Sequence, residues 1–187
     1  IEASKDGAPV VPEIMIPLVS AKREVELVKT RIDAVAAAVR NERGANFDYR
    51  LGVMVETPRA SLRADDIAVN SKFLSFGTND LTQMAYGLSR DDAGRFMSTY
   101  VKQGVFPEDP FHHLDIEGVG ELIRIGVERA RAVRPDIVMS ICGEHGGSPE
   151  TIEFCRQIGI DYVSCSPFRV PIARLAAAQL AIKDKIG

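Results

Sequence analysis

Five short apolar runs, rich in β-branched residues, punctuate the chain, and helical patterns fill the stretches between them. The runs are EIMIPLV (13–19), RLGVMVET (50–57), FLSFGTN (73–79), DIVMSICGE (136–144) and DYVSCS (161–166). Their near-continuous apolarity predicts parallel strands covered on both faces rather than half-exposed antiparallel ones. After the first run, Val25, Val28, Ile32, Val35 and Val39 recur at spacings of three and four, drawing one helical stripe behind Ser20 as its cap. Thr57-Pro58 reads as cap then first helical residue, opening a helix through about Val69. Leu122, Ile123, Val127 and Ala130 make a further stripe, and Ser148-Pro149 starts a helix ending near Gly159. IARLAAAQLAIKDK supplies a last helix. This order predicts right-handed βαβ units and a parallel sheet.

Two architectures satisfy that pattern: an open doubly wound sheet, and a (β/α)8 barrel. Five units in 187 residues fall short of the roughly 250 residues a barrel takes. The chain opens on IEASKDGAPVV with no initiator methionine, as a piece of something longer would, and on that expectation the five units are the last of eight. The stretch from Leu88 to Gly120 is irregular, apart from a short helix expected within Asp92–Val101. A connection that long carries a function such as a lid or a partner contact.

Composition removes several classes of function. At 45% hydrophobic and 26% charged, the chain is of the globular, ordered type. Lys plus Arg (23) against Asp plus Glu (26) leaves a net charge of -3 with no basic run, which argues against a nucleic-acid partner. No run reaches the roughly 18 apolar residues of a membrane span, so no membrane partner is expected. Cys142, Cys155 and Cys165 are odd in number and lack zinc-type spacing, which suits a reducing compartment, the cytoplasm by default.

Chemically capable groups gather where the runs end. Glu56 closes the second, Asn79 and Asp80 the third, Cys142 and Glu144 the fourth, and Ser166 the fifth. The carboxyl ends of parallel strands point one way and carry the active sites of α/β proteins. In SFGTNDLTQ (75–83), Gly77 permits a sharp turn, Thr78 and Asn79 are good caps, and the amides opening the next helix would face a carboxylate or phosphate. An ordinary capped turn explains the same residues. Asp80 adds negative charge there, which an anion site tolerates only with a cation. Glu56 and Asp80, hard oxygen donors on neighbouring strands, suit Mg²⁺ or Mn²⁺. The competing reading pairs Glu56 with Arg59 or Arg63.

Cys142 sits within MSICGEHGG (139–147), at the lip of a strand. A thiol with an ordinary pKa near 8.5 is uncharged at neutral pH and can exchange a proton with a carbanion-like carbon. Gly143, Gly146 and Gly147 would bring backbone close to a small ligand, with Glu144 or His145 orienting the thiol. Cys155 and Cys165 read as buried and inert. A zinc site from Cys142, His145, His112 and His113 has poor spacing. An esterase loop, hinted at by HGG, lacks any G-x-S-x-G elbow.

EIMIPLV, ETPRA, FLSFGTNDLTQ, CGEHGG and CSPFRVPIARLAAAQ, in this order across nearly the whole chain, resemble the C-terminal part of the pyruvate, phosphate dikinase family. Phosphoenolpyruvate synthase and enzyme I of the sugar phosphotransferase system share GTNDLTQ and CGE; HGG and SPFRVP point to the dikinase. The resemblance implies an α/β fold, the C-terminal portion (about five βα units) of a (β/α)8 TIM barrel with parallel strands, spanning residues 1–187 as part of a domain that binds pyruvate or phosphoenolpyruvate (PEP). The rest of the barrel, a phosphohistidine domain and a nucleotide-binding domain would lie upstream. The family reaction converts ATP, phosphate and pyruvate to AMP, diphosphate and PEP. By resemblance, Glu56 and Asp80 are Mg²⁺ ligands. Glu56, Gly77, Thr78, Asn79 and Asp80 contact substrate, and Cys142 is the acid-base group. ATP and phosphate would be used by the upstream domains, and the phosphohistidine domain would be a partner within the same chain. The last helix, with Ile172, Leu175, Ala176 and Gln179, is a candidate homodimer face. The isolated fragment is expected to be inactive. A PEP-binding domain of phosphoenolpyruvate synthase or enzyme I type, a non-catalytic dimerisation piece, and a complete small open-sheet domain for another oxyacid are the remaining readings.

Overall fold

A computed structural model describes residues 1–7 and 9–186. After a short 3-10 turn at Ala3–Asp6, the chain runs through β1 (Glu13–Ile16), α1 (Lys22–Arg43), β2 (Arg50–Val55), α2 (Pro58–Leu62), α3 (Ala64–Ala68), β3 (Phe73–Gly77) and α4 (Thr78–Tyr86). The long connection follows, carrying α5 (Arg90–Ala93) and α6 (Met97–Lys102). Then come α7 (Val119–Val133), β4 (Val138–Cys142), a 3-10 turn at Glu144–Gly147, α8 (Pro149–Gln157), β5 (Tyr162–Val163) and α9 (Val170–Ile186).

The five strands form one wholly parallel sheet in the order β1-β2-β3-β4-β5. That order decides between the two architectures. A doubly wound sheet reverses direction at a switch point, with helices on both faces. Here each strand is added on the same side as the last, so right-handed crossovers keep the helices on one face, as in a barrel wall. The register brings Met15, Gly52, Phe73 and Val138 into one row, and Gly77 beside Cys142 in another. The intervening residues, Val53, Val55, Leu74, Phe76, Met139 and Ile141, point to the helix layer and form the main core with Ala60, Ile67, Ile123 and Val127. Each such side chain contributes about 1.5–3 kcal/mol when removed from water.

Several local expectations change. Ser20 does not cap α1 with its side chain; the Glu24 carboxylate reaches back and accepts from the backbone N–H groups of Ser20 and Ala21. The stripe on α1 is only partly covered, with Val25 buried and Val35 exposed. Thr57 does cap, accepting from the Ala60 N–H, but the expected single helix through Val69 breaks at Arg63 into α2 and α3. The helix expected within 92–101 is two short ones, α5 and α6. They fold over a small separate core of Ala93, Met97 and Phe111, flanked by Phe96 and Phe106. Cys155 is buried as expected, and burial pushes its thiol up to about 12. Cys165 is half-buried, at the edge of a polar cavity beyond β5.

Candidate functional site at the carboxyl ends of the strands

Glu56 follows β2 and is only 2% exposed. Neither arginine pairs with it: Arg59 donates to the Ser20 carbonyl, and Arg63 pairs with Asp66. Its Oε1 instead accepts the backbone N–H of Leu18 at 2.7 Å. Leu18 adopts a left-handed conformation (φ 52) where β1 gives way to α1. A non-glycine residue there costs about 1–2 kcal/mol, which a hydrogen bond to a charged group, worth about 1.5–3 kcal/mol, offsets. Nothing in the sequence at Leu18 signals this role.

Asp80 lies in the first turn of α4, and its Oδ1 accepts from the Gln83 side-chain amide at 3.0 Å. Burial pushes the Glu56 carboxyl above the usual carboxylate range. The Leu18 amide pulls against this, and the facing Asp80 adds to the push. Two carboxylates that share a site in this way hold a proton between them or receive a cation in its place. Gly77 makes the closeness possible, since a Cβ there would stand 2.5 Å from Glu56 Oε2.

Cys142 ends β4 beside Gly77 in register. Burial pushes its thiol up, the Ser75 hydroxyl pulls it back, and the charges of Glu56 and Asp80 push it further up. At neutral pH the sulfur therefore carries its proton. Ser75 was not singled out in the sequence. It lies on β3 two residues before Gly77, and strand alternation puts both on one face.

Thr78 and Asn79 do not cap α4: Gly77 holds that position without a side-chain bond. Both side chains cross instead to the end of β4. The Thr78 hydroxyl contacts the Cys142 carbonyl at 3.0 Å, and Asn79 Oδ1 accepts the Glu144 N–H at 3.2 Å. The first-turn amides of α4 thus keep no side-chain partner, as an anion-receiving helix start requires.

The glycines after Cys142 divide their work. Gly143 adopts φ 112, ψ -177, open only to glycine, and turns the chain sharply at the site. Gly146 and Gly147 allow close packing within the chain: the Ser164 carbonyl and the Arg169 stem lie against them. Glu144 points to Arg90, which it meets at 2.5 Å, and His145 is buried against Thr78 and Pro110. Neither touches the thiol. Among the described residues no group of three or more His, Cys, Asp or Glu side chains is placed to hold a metal ion. Ser166 lines the polar cavity of about 460 Å³ beyond β5, with Arg169, Ser164 and Asn79. Among the described residues no helix is long and apolar enough to cross a membrane.

The chain is similar to known proteins along nearly its whole length. The chain is 58% identical over 186 residues to pyruvate, phosphate dikinase of Rhizobium meliloti, covering 99% of this chain and 21% of that protein. It is 54% identical over 179 residues to the Clostridium symbiosum enzyme of that name (96% and 20%), and 51% over 182 residues to the chloroplastic one of Flaveria pringlei (97% and 19%). The chain is thus homologous along its whole length to enzymes of which it spans about a fifth. Among solved structures, a citrate lyase from Burkholderia xenovorans superposes with a TM-score of 0.59 at 18% identity, covering 90% of this chain and 49% of that one. RipC from Yersinia pestis gives 0.53 at 13% (94% and 67%). These two likenesses concern the fold alone. The model of the PEP-utilising enzyme, PEP-binding domain matches residues 1–182, and with it every strand end that carries the site; the chain belongs to the PEP-utilising enzyme family.

Proposed function

We propose that this chain is the PEP- and pyruvate-binding part of a pyruvate, phosphate dikinase, and that Cys142 moves a proton to and from the methylene carbon of the three-carbon substrate. The observation that carries this reading is the meeting of Glu56, Asp80 and Cys142 at neighbouring strand ends. The two carboxylates that share the site, Glu56 buried and Asp80 partly exposed, fit Mg²⁺. Glu56 Oε1 and Asp80 Oδ1 are already held by Leu18 and Gln83, which leaves one oxygen of each for the ion. When bound, the cation supplies positive charge opposite the oxygen on which negative charge develops as the enol phosphate is cleaved.

The residues of this chain do the rest. The opening amides of α4 receive the substrate carboxylate, with the helix dipole behind them. Asn79 keeps its amide NH₂ for the substrate, because its oxygen is engaged by Glu144. The Cys142 S–H gives its proton to the enolate carbon as pyruvate forms, and the resulting thiolate recovers a proton from the methyl group in reverse. A depressed thiol pKa would defeat the first step; the raised one supports it. Phosphoryl transfer belongs to a phosphohistidine domain elsewhere in the full-length protein, and ATP and phosphate to its nucleotide-binding domain. This chain alone is inactive.

Association as a homodimer is proposed for α9. Ile172, Leu175 and Gln179 are exposed, while Ala176 packs inward with Ala173 and Ile152 and takes no part. Three free thiols suit a reducing compartment such as the cytoplasm.

Cys142→Ala in the full-length protein tests the central claim. Exchange of pyruvate methyl protons with deuterated solvent is expected to fall to background, with oxalate, a planar enolate mimic, still bound. Exchange at the parental rate would remove Cys142 from this role.

A further inference from the structure

His145 takes no direct part in the proton transfer described above, yet its imidazole is completely buried. Its two nitrogens face different segments. Nδ1 lies 2.7 Å from the Thr78 hydroxyl at the start of α4, and Nε2 lies 3.0 Å from the Pro110 carbonyl oxygen in the long connection. A carbonyl only accepts, so Nε2 carries the ring proton. Burial lowers the tendency of the ring to take a second one. The groups acting on it from the surrounding elements are the Pro110 carbonyl and the Glu144 charge, which favour protonation, and Arg90 and His113, which oppose it. A neutral ring with its proton committed to Pro110 can only accept at Nδ1. The Thr78 hydroxyl then donates to it.

That hydroxyl has a second acceptor within reach, the Cys142 carbonyl at 3.0 Å. Its single proton cannot fully serve both. The imidazole nitrogen is closer, so the ring accepts the hydrogen bond, and the turn that follows Cys142 is tied through His145 to the start of α4. Two more ties run the same way. The Arg90 N–H donates to Gln83 Oε1 at 2.8 Å, while the other end of that amide holds Asp80; the Arg90 guanidinium meets Glu144. The connection between α4 and α7 is thereby fastened to both sides of the site, with His145 as the buried fastening.

We propose that His145 is a positioning residue. As the neutral tautomer protonated on Nε2, it anchors the long connection through Pro110 and accepts from the Thr78 hydroxyl, and so ties the turn that follows Cys142, and with it the position of the sulfur, to the start of α4. This rests on the reading that Cys142 exchanges a proton with substrate. Neither arm of the ring touches substrate, so its loss acts on turnover rather than on binding.

The two arms are separable. Asparagine reaches as far as Nδ1 and offers Thr78 an acceptor; glutamine reaches as far as Nε2 and offers Pro110 a donor. In the full-length protein, His145→Gln is expected to lower kcat for pyruvate methyl-proton exchange about 10- to 100-fold with KM unchanged. His145→Asn is expected to recover most of that loss. Equal rates in parent and His145→Gln, a change confined to KM, or no recovery in His145→Asn would each overturn the proposal. Cys142→Ala, run in parallel, separates this from failure of the underlying reading. If that variant still exchanges protons, the reading falls and with it the role in turnover. The assignment of the ring is then decided on the parent protein by ¹⁵N NMR. A bare Nδ1 and a protonated Nε2 are expected at about pH 8; a ring protonated on Nδ1, or charged, would overturn it. The spectrum also decides the matter should both variants fail to fold.

Discussion

The centre of the sheet and its two flanks are built by the same strand-and-helix pattern but end in opposite states. At the centre, where β2, β3 and β4 meet, polar groups are buried and nearly all are partnered: Glu56, Ser75, Thr78 and His145 each have a named contact. At the flanks apolar groups stand open. Ile14 on β1 and Val35 on α1 are exposed at one side, and at the other Phe168 is 93% exposed, with Ile172 and Leu175 beside it. Buried polar groups are expensive unless satisfied, and large exposed apolar patches mark surfaces that meet something. The centre is therefore the part that has chemistry to hold, and the flanks are the part that awaits cover.

Phe76→Ala should break the centre most severely. Phe76 is fully buried on β3 and packs against Gly126 of α7, so truncation leaves a cavity at the middle of the wall. A loss of about 3–5 kcal/mol is expected in urea unfolding; a loss no larger than that of a surface change would mean that the centre is not the stabilising part.

Glu56→Gln probes the polar layer. The folded-state pKa of Glu56 is raised above its usual 4.5, so the folded chain holds this proton more firmly than the unfolded chain does. Below pH 4.5 the group costs nothing; as pH rises through 4.5 and up to the raised value stability declines, and above that value the penalty is complete. In metal-free buffer the glutamine variant should lack this decline and be the more stable at neutral pH. Added Mg²⁺ should narrow the gap by stabilising only the parent. Parallel pH profiles in the two proteins would show that burial does not hold the Glu56 carboxyl above its ordinary pKa.

Leu175→Glu should have the smallest effect on stability, within about 0.5 kcal/mol, because the side chain lies open on α9. Its effect is expected in sedimentation velocity, as a shift to a smaller species. A large stability loss, or no change in mass, would make the flank ordinary surface.

How much of this could be read from the chain alone follows from range. Strand and helix periodicity is local, and all five strands fall inside the runs expected of them. Register then delivers Gly77 to Cys142 without further information. That Glu56, Asp80 and Cys142 come together was legible because strand ends in a parallel sheet all face one way. What escaped depends on partners far along the chain. Leu18 serves Glu56 through a backbone N–H, which no residue type announces. Ser20 looked like a cap, but Glu24 was within reach of the same amides. His145 and Glu144 looked like neighbours of the thiol because they follow it in sequence. The left-handed-side turn at Gly143 sends them to Thr78, Pro110 and Arg90 instead. Gln83 was visible in principle, since it stands three positions after Asp80 on one helix face.

Because neighbouring strands are also consecutive in sequence, position along the chain translates into angle around the rim, like hours on a dial. Each loop owns one sector of that rim. Chemistry can therefore be altered one sector at a time, by exchanging a single loop while its neighbours keep their settings. The long segment between α4 and α7 is the exception: it reaches across two sectors at once, so it and the turn after Cys142 would have to be exchanged together.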